Sequence, residues 1–233
     1  MFETKKLIES TLVDQNQKLK LSALFGLFQD IATADAEQIG YGHENTTDAG
    51  KLWVFTRVYA QIDEYPTYLS VSTFKTYANQ RKVFAFPRQL KVTSQFGAAQ
   101  ARISSIWALI DRDSRKLIFK PDLPEAETFH EDDELPLPGK VVVSPASFVY
   151  SRKIRHSDID LNGHLNNTRY IEFIIDCHDA SFYKEKEIAS LLLNFETEVA
   201  EGETIELYAN EDKTYIYGRC DDQLCFEANL TYR

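Results

Sequence analysis

The densest polar stretch of the chain reads Asp158-Ile159-Asp160-Leu161-Asn162-Gly163-His164-Leu165-Asn166-Asn167-Thr168-Arg169-Tyr170. Immediately after it, apolar residues recur at helical spacing, at Tyr170, Phe173 and Ile174. A polar stretch that leads into an amphipathic helix predicts a helix N-terminus at this point. We expect Asn166 or Asn167 to cap that helix, with the acidic side chains upstream favouring its positive end.

The same order of elements occurs twice in the chain. Each half has a short extended lead-in before one strong helix. In the first half, apolar residues recur at helical spacing from Leu21 to Ile39, with Ser22 near the start and Gly40 after the end. In the second half, the spacing of residues from Tyr170 to Cys177 and Ser181 predicts a helix of similar length. Each helix is followed by segments rich in Val, Ile, Thr, Tyr and Phe, which is typical of strands. The predicted strands are 52–62, 68–78, 82–92 and 101–111 in the first half, and 190–199, 204–209, 214–219 and 225–232 in the second. We therefore predict an α+β fold of two similar domains, each with an antiparallel sheet curled around one central helix.

A segment with few aliphatic residues separates the two halves. Residues 121–139 contain four prolines, a glycine and the acidic run 131–134. This composition is typical of a linker. We expect the domains to span residues 1–137 and 138–233.

Composition and charge exclude several classes of protein. The 233 residues include 36 acidic and 26 basic side chains, for a formal net charge of -10, so a nucleic acid partner is not expected. No apolar run approaches the ~20 residues that span a bilayer, and the polar start does not resemble a signal peptide. Cys177, Cys220 and Cys225 form no CxxC pair and are expected to pack as small apolar residues. They suit a reducing compartment, and we expect a cytoplasmic location.

The polar stretch admits a calcium-binding interpretation. Asp158, Asp160, Asn162 and Gly163 match positions 1, 3, 5 and 6 of an EF-hand loop. Position 12 requires a bidentate glutamate, but this chain has Arg169 there. A cation at that position opposes metal binding, so no metal is expected. A second alternative is a solvated segment that only caps the helix.

The third interpretation is a hydrolytic site. Asp160, Asn162 and His164 alternate along the chain, and an extended strand would direct all three side chains to one face. They precede a helix N-terminus, whose unpaired N–H groups can polarise a carbonyl oxygen. The chain has no G-x-S-x-G, P-loop, G-x-G-x-x-G or H-E-x-x-H motif that would supply a different centre.

Residues 158–170 resemble the D-x-D-x-N-x-H-x-N-N-x-x-Y signature of acyl-acyl carrier protein thioesterases. Residues 52–57 resemble the W-x-x-x-R strand of this family, and residues 106–111 resemble its W-x-x-x-D strand. The resemblance implies two tandem hotdog domains, and the chain looks like the bacterial, cytosolic type. Gly163 and Val199 stand where plant members usually have Gln and Cys, so no mechanism with that cysteine as nucleophile can operate.

The resemblance also implies a catalytic group. Carried onto this sequence, it consists of Asp160, Asn162, His164 and a distant glutamate, which by spacing falls on Glu198 in the strand after the second helix. Glu196 remains an alternative, because residues two apart share a strand face.

The implied reaction converts fatty acyl-acyl carrier protein to free fatty acid and carrier protein, in fatty acid biosynthesis, without a cofactor. Glu198 or His164 would take the proton from water, and backbone amides near Gly163 and His164 would hold the oxyanion. The first domain would bind the acyl chain, and the second would carry the catalytic residues. The implied partner is acyl carrier protein with a 4'-phosphopantetheine-linked acyl chain, and the chain would be a monomer or a homodimer.

Two alternatives stay open at this point. One is an acyl-CoA thioesterase, and the other is a non-catalytic acyl-binding or dehydratase-like hotdog protein. Acyl carrier protein is acidic, as is this chain, so docking would require a basic patch. The candidates are residues 152–155, or Arg112 with Arg115 and Lys116.

Overall fold

In the computed structural model, which describes all residues from Met1 to Arg233, the chain forms two compact units, Met1–Pro138 and Gly139–Arg233. Each unit contains five antiparallel strands. These strands accompany one principal helix, which follows the first strand of its unit.

The first unit contains β1 (Phe2–Leu7), α1 (Leu21–Gln38), β2 (Lys51–Ile62), β3 (Val71–Ala78), β4 (Phe86–Ser94) and β5 (Ala99–Asp111). Its strand order is β1-β3-β4-β5-β2. α1 buries an apolar face that includes Phe25, Phe28 and Ile31, and it packs against β1 and β3. It ends before Gly40, which has φ +77°, the left-handed conformation that commonly terminates helices.

No helix of the structure has the length and apolar character needed to span a membrane.

The second unit contains β6 (Ser147–Lys153), α2 (Asn167–Ile175), α3 (Phe182–Glu185), β7 (Ile188–Phe195), β8 (Thr204–Ala209), β9 (Tyr215–Cys220) and β10 (Gln223–Tyr232). Its strand order is β6-β8-β9-β10-β7. In both units, therefore, the first strand lies beside the third and the second strand closes the opposite edge. The predicted α+β fold with two similar halves is confirmed.

The second helix is shorter than predicted. α2 has 9 residues, against 18 in α1. At its end the carbonyl of Phe173 accepts from the Tyr150 hydroxyl at 2.9 Å, and the carbonyl of Ile175 accepts from the Tyr183 hydroxyl at 3.1 Å. In a longer helix, these carbonyls would accept from backbone amides of the next turn. Because the two tyrosine hydroxyls donate to them instead, the helix ends before the apolar pattern does.

Two strands were expected only as extended lead-ins to the helices, without residue bounds. β1 and β6 are edge strands. Most residues of Phe2–Leu7 and Ser147–Lys153 are exposed or half-buried, and both strands contain charged side chains. Such strands lack the apolar alternation that identifies a half-buried strand. The predicted strand 190–199 is also displaced, because β7 ends at Phe195.

The segment predicted as a linker is bound to the first unit along part of its length. Asp133 pairs with Lys91 on β4 at 2.6 Å, and Glu131 pairs with Lys75 on β3. The side-chain amide of Gln89 donates to the Leu135 carbonyl at 3.2 Å. The acidic run therefore neutralises lysines on the sheet instead of forming a free spacer.

Candidate active site

Residues 160–164 form a tight turn before α2. The Asp160 amide donates to the His164 carbonyl at 2.8 Å, and the Gly163 amide donates to the Asp160 carbonyl at 3.1 Å. Gly163 has φ +82°, which glycine adopts readily and other residues rarely do. The Asp160 carboxylate closes the turn, because its Oδ1 accepts from the Asn162 amide at 2.8 Å and from the His164 amide at 3.4 Å.

The extended conformation predicted for this stretch is therefore wrong. Asp160 directs its carboxylate back to the amides of the turn, while the Asn162 side chain is exposed near its tip. The Asn162-Gly163 dipeptide is a frequent turn signal, and here it overrides the alternating pattern. The Asp160 carboxylate therefore binds the backbone amides of Asn162 and His164, and not their side chains.

Asp158 is the buried anchor of the turn. Its side chain is 1% exposed, and its Oδ1 accepts from Arg152 Nη2 at 2.8 Å. Arg169 Nε lies 3.6 Å from the same oxygen, and the Arg155 amide donates to Oδ2 at 3.1 Å. The oxygens that would have served a calcium ion thus bind two arginines and an amide. The sequence contained no local pattern that reveals this anchoring role.

Glu198 lies in the loop after β7, not on the strand as predicted. The amides of Glu196 and Thr197 both donate to the Cys225 carbonyl, at 2.9 and 3.2 Å. Two residues later, the Val199 carbonyl accepts from the Leu165 amide at 2.8 Å. The argument that Glu196 and Glu198 share a strand face therefore no longer applies.

This loop brings Glu198 to His164. Glu198 Oε2 lies 3.7 Å from His164 Nε2, and the two side chains are 42% and 31% exposed. The distance permits electrostatic contact but exceeds that of a direct hydrogen bond. His164 Nδ1 is buried and has no hydrogen-bond partner. The Nε2 edge of the imidazole is thus the one that faces the carboxylate.

Tyr170 packs beneath these residues. Its ring contacts Phe195 and Phe226, with centroid distances of 5.3 and 5.4 Å. Burial raises the pKa of the Tyr170 hydroxyl, and nearby Glu198 and Asp160 raise that pKa further. The hydroxyl therefore stays neutral and cannot serve as a base at neutral pH.

The start of α2 offers one unused amide. Asn166 caps the helix, because its Oδ1 accepts from the Thr168 amide at 2.9 Å, as predicted for this position or the next. The amides of Gly163 and His164, which were expected to hold an oxyanion, are engaged inside the turn. The expectation that these two amides hold an oxyanion is wrong for this conformation of the turn. From Asn162 to Arg169, the Asn167 amide alone has no hydrogen bond within the chain.

The first unit contains a mainly apolar cavity of about 80 Å³. Trp53, Phe86 and Trp107 form aromatic walls, and α1 contributes alanines. Arg88 also lines the cavity, and its guanidinium donates to the Asp35 carboxylate at 2.6 Å. Both members of this ion pair are buried.

Family models match both halves of the chain. The model described as "Acyl-ACP thioesterase N-terminal domain" matches residues 1–122, and "Acyl-ACP thioesterase C-terminal domain" matches residues 145–227. This chain belongs to the acyl-ACP thioesterase family. The suspected resemblance is thereby confirmed, and the match to the C-terminal model contains the turn and Glu198.

Curated relatives of this family member are plant proteins. An Arabidopsis thaliana protein named "Oleoyl-acyl carrier protein thioesterase 1, chloroplastic" is 22% identical over 88% of the chain and 62% of its own length. A Gossypium hirsutum protein named "Palmitoyl-acyl carrier protein thioesterase, chloroplastic" is 26% identical over 82% of the chain and 50% of its own length. The chain thus spans less than two thirds of the length of these relatives.

Solved structures of the family confirm the double hotdog fold. An acyl-ACP thioesterase from Bacteroides thetaiotaomicron has a TM-score of 0.90 and 21% identity, covering 99% of this chain and 97% of that one. A 12:0-ACP thioesterase from Umbellularia californica has a TM-score of 0.83 and 18% identity, covering 100% and 93%. This fold agrees with the prediction from the sequence. The sequence predicted two tandem hotdog domains, each with a curled antiparallel sheet around one central helix.

The cysteines of this family member are buried and free. Burial raises the pKa of the Cys177 thiol to about 12, which removes its thiolate at neutral pH. Cys220 ends β9 and Cys225 lies in β10, so the turn between these strands separates them. The Cys225 carbonyl holds the Glu198 loop, so this residue contributes to the site through its backbone.

Proposed function

We propose that this family member hydrolyses fatty acyl thioesters of acyl carrier protein, as a step of fatty acid biosynthesis. The observation that carries the proposal is the 3.7 Å separation between His164 Nε2 and Glu198 Oε2, beside a turn closed by Asp160. An imidazole beside a carboxylate suits general acid–base chemistry at neutral pH. Relatives that match most of the chain are named as thioesterases or hydrolases of acyl carrier protein.

The reaction forms a C–O bond from water to the thioester carbonyl carbon and then breaks the C–S bond. Because His164 Nε2 and Glu198 Oε2 are 3.7 Å apart, one water molecule can lie about 2.8 Å from both atoms. Glu198 accepts a proton from the attacking water, and His164 Nε2 takes that proton from Glu198 and donates it to the departing sulfur. The products are a fatty acid and the free thiol of the carrier. A positioned base contributes about 10²- to 10⁴-fold to the rate.

The remaining residues position these groups. Asp160 holds the amides of Asn162 and His164, and so fixes the direction in which the imidazole points. The exposed Asn162 side chain is available to orient the thioester. The Asn167 amide, at the positive end of α2, is the donor we assign to the developing oxyanion. No cofactor or metal enters these steps.

The two domains have different roles in this proposal. Residues 138–233 carry the catalytic residues, and residues 1–137 bind the acyl chain. The cavity walled by Trp53, Phe86 and Trp107 supports the second role, because aromatic and aliphatic walls favour a hydrocarbon ligand. We also propose a cytoplasmic location, which the three buried free thiols support.

The proposal is tested by thiol release from matched C8 to C18 acyl-carrier protein and acyl-CoA substrates. We expect turnover with the carrier substrates, and loss of that turnover in His164→Ala. Turnover with acyl-CoA alone would instead identify an acyl-CoA thioesterase. Acyl binding without turnover of either substrate would identify a non-catalytic hotdog protein.

A further inference from the structure

Three large apolar side chains are exposed together in the first unit. Val83 and Phe84, in the connection between β3 and β4, are 52% and 47% exposed. Phe119, which follows β5, is 64% exposed. The rings of Phe84 and Phe119 lie edge to face, with centroids 5.8 Å apart. Clustered exposed aromatics are characteristic of surfaces that bind a partner.

Backbone hydrogen bonds hold this cluster together. The Lys120 amide donates to the Val83 carbonyl at 2.9 Å, which ties the two segments side by side. The Lys82 amide donates to the Ala85 carbonyl at 2.8 Å and closes the β3–β4 connection. The exposed side chains therefore stand on a defined surface that is formed before any partner binds.

The cluster is flanked by cations. Lys82 and Lys120 are exposed, and neither forms an ion pair within the chain. Arg81 lies beside them and donates to the Leu123 carbonyl at 3.4 Å. The charged side chains within residues 81–84 and 119–120 are these three cations, with no carboxylate among them. The chain as a whole has a net charge of -10, so these cations form a positively charged region on an acidic protein.

In each basic cluster named from the sequence, one arginine already lies beside a carboxylate. Arg152 is bound to Asp158, and its guanidinium lies 4.8 Å from the centroid of the Phe173 ring. Arg112 lies 3.9 Å from the Asp113 carboxylate.

We propose that the basic–aromatic patch, defined as Arg81, Lys82, Val83, Phe84, Phe119 and Lys120, docks the acidic surface of acyl carrier protein. The inference rests on the proposed function, which requires the substrate to arrive on that acidic protein. Charge complementarity favours this partner, because an acidic surface is repelled by the rest of the chain and attracted here. The aromatic side chains supply the apolar centre of the contact, and the cations supply its rim.

The test measures binding of apo acyl carrier protein, which lacks the phosphopantetheine arm and so reports only the contact between protein surfaces. Lys82→Glu/Lys120→Glu is compared with Lys140→Glu/Lys184→Glu, in which two other exposed lysines undergo the same change of charge. We expect the patch variant to weaken binding at least tenfold, and the control variant to change it less than twofold. The dependence of the Kd on salt concentration should become shallower in the patch variant alone.

The apolar contribution is tested separately with Phe84→Ser/Phe119→Ser. We expect weaker binding of the carrier with an unchanged dependence on salt, because only uncharged contacts are removed. Far-ultraviolet circular dichroism and the thermal midpoint verify that each variant is folded. In turnover, the ratio of kcat/KM for acyl-carrier protein to kcat/KM for acyl-pantetheine should fall at least tenfold in the lysine variant.

Two outcomes would overturn the proposal. One is carrier binding that is equally strong in the patch and control variants. The other is patch-dependent binding to phosphatidylglycerol vesicles combined with patch-independent binding to the carrier, which would identify a membrane surface as the partner. Because binding is measured without turnover, failure of the proposed hydrolysis is distinguishable from failure of the docking surface.

Discussion

The amide of Leu165 donates a 2.8 Å hydrogen bond to the carbonyl of Val199. His164 directly precedes the donor, and Glu198 directly precedes the acceptor. The approach of the imidazole to the carboxylate is therefore set by the backbone and not by attraction between the side chains. It follows that replacing either side chain should leave the turn and the loop in position.

We first predict the effect of replacing Glu198 by glutamine. The amide has the size of the carboxylate but cannot accept a proton from water, so kcat should fall by about 10²- to 10⁴-fold. Thiol release at saturating acyl-carrier protein measures the change. Glu196→Gln is the matched control, because Glu196 is exposed and its amide, which the substitution retains, bonds to the Cys225 carbonyl. A loss of turnover in Glu196→Gln, with turnover retained in Glu198→Gln, would assign the role to Glu196 instead.

The sequence predicted the parts of this fold that have a strong local pattern. The helical spacing of apolar residues identified α1, whose bounds are Leu21–Gln38, to within one residue. The edge strands β1 and β6 were expected only as extended lead-ins without bounds, because their stability comes from pairing with β3 and β8, which local composition does not reveal. The end of α2 depends on hydroxyls of Tyr150 and Tyr183, which come from other elements.

The residues of the candidate site likewise differ in how far a local sequence pattern predicts their positions. Asp160, Asn162 and His164 are close in sequence, so a motif could identify them. Glu198 was found by resemblance and spacing, but its loop conformation depends on hydrogen bonds to Leu165 and Cys225 that join distant segments. Such non-local contacts leave no trace in a single sequence pattern.

The carboxylate of Asp160 is predicted to act as a positioning group. Asp160→Asn retains an oxygen that can accept from the Asn162 amide, whereas Asp160→Ala removes it. We expect Asp160→Ala to lower kcat by about tenfold or more with little change in KM. Asp160→Asn should recover most of that loss. Steady-state kinetics of both variants provide the measurement, and equal losses would show that the negative charge is what matters.

The Asp35–Arg88 ion pair in the first unit should be important for stability. Asp35→Ala would leave the buried guanidinium of Arg88 without its carboxylate, which costs about 3–5 kcal/mol. Asp35→Leu/Arg88→Met should be less destabilised than Asp35→Ala, since no buried charge is left unpaired. Urea unfolding gives the free energies. A double variant less stable than the single one would contradict this account.

A pH dependence of stability is expected from His178. Its Nε2 lies 2.8 Å from the Tyr232 hydroxyl, and its ring stacks on Phe182 at 3.8 Å. Burial lowers the pKa of His178 to about 4, with Lys213 and Lys186 lowering it and Asp179 raising it. The folded chain therefore keeps this imidazole neutral at pH values where the unfolded chain protonates it, near 6.5.

As the pH falls from about 6.5 towards 4, the unfolded chain binds more protons at His178 than the folded chain does. The free energy of unfolding should therefore decrease over this window. His178→Gln removes the titrating group, so its free energy of unfolding should fall less between pH 7 and pH 4.5 than that of the wild type. Urea unfolding at the two pH values provides the comparison. Equal decreases in both proteins would exclude His178 as the cause.

The assignment of the oxyanion donor can be tested by removing a single N–H group. Asn167 is the first residue of α2, a position where proline is well tolerated. Asn166 before it has φ -59° and ψ 133°, which is compatible with a following proline. Asn167→Pro should therefore fold normally while lacking the amide.

We expect Asn167→Pro to lower kcat by about 10²- to 10³-fold, because one preorganised donor to the oxyanion is lost. Asn167→Ala is the matched control, since it removes the side chain and keeps the amide. The thermal midpoints of the two variants establish that α2 is intact in both, and thiol release gives kcat. If both variants turn over at the same rate, the developing charge must be held by a different donor, and the turn would have to release the Gly163 or His164 amide when the substrate binds.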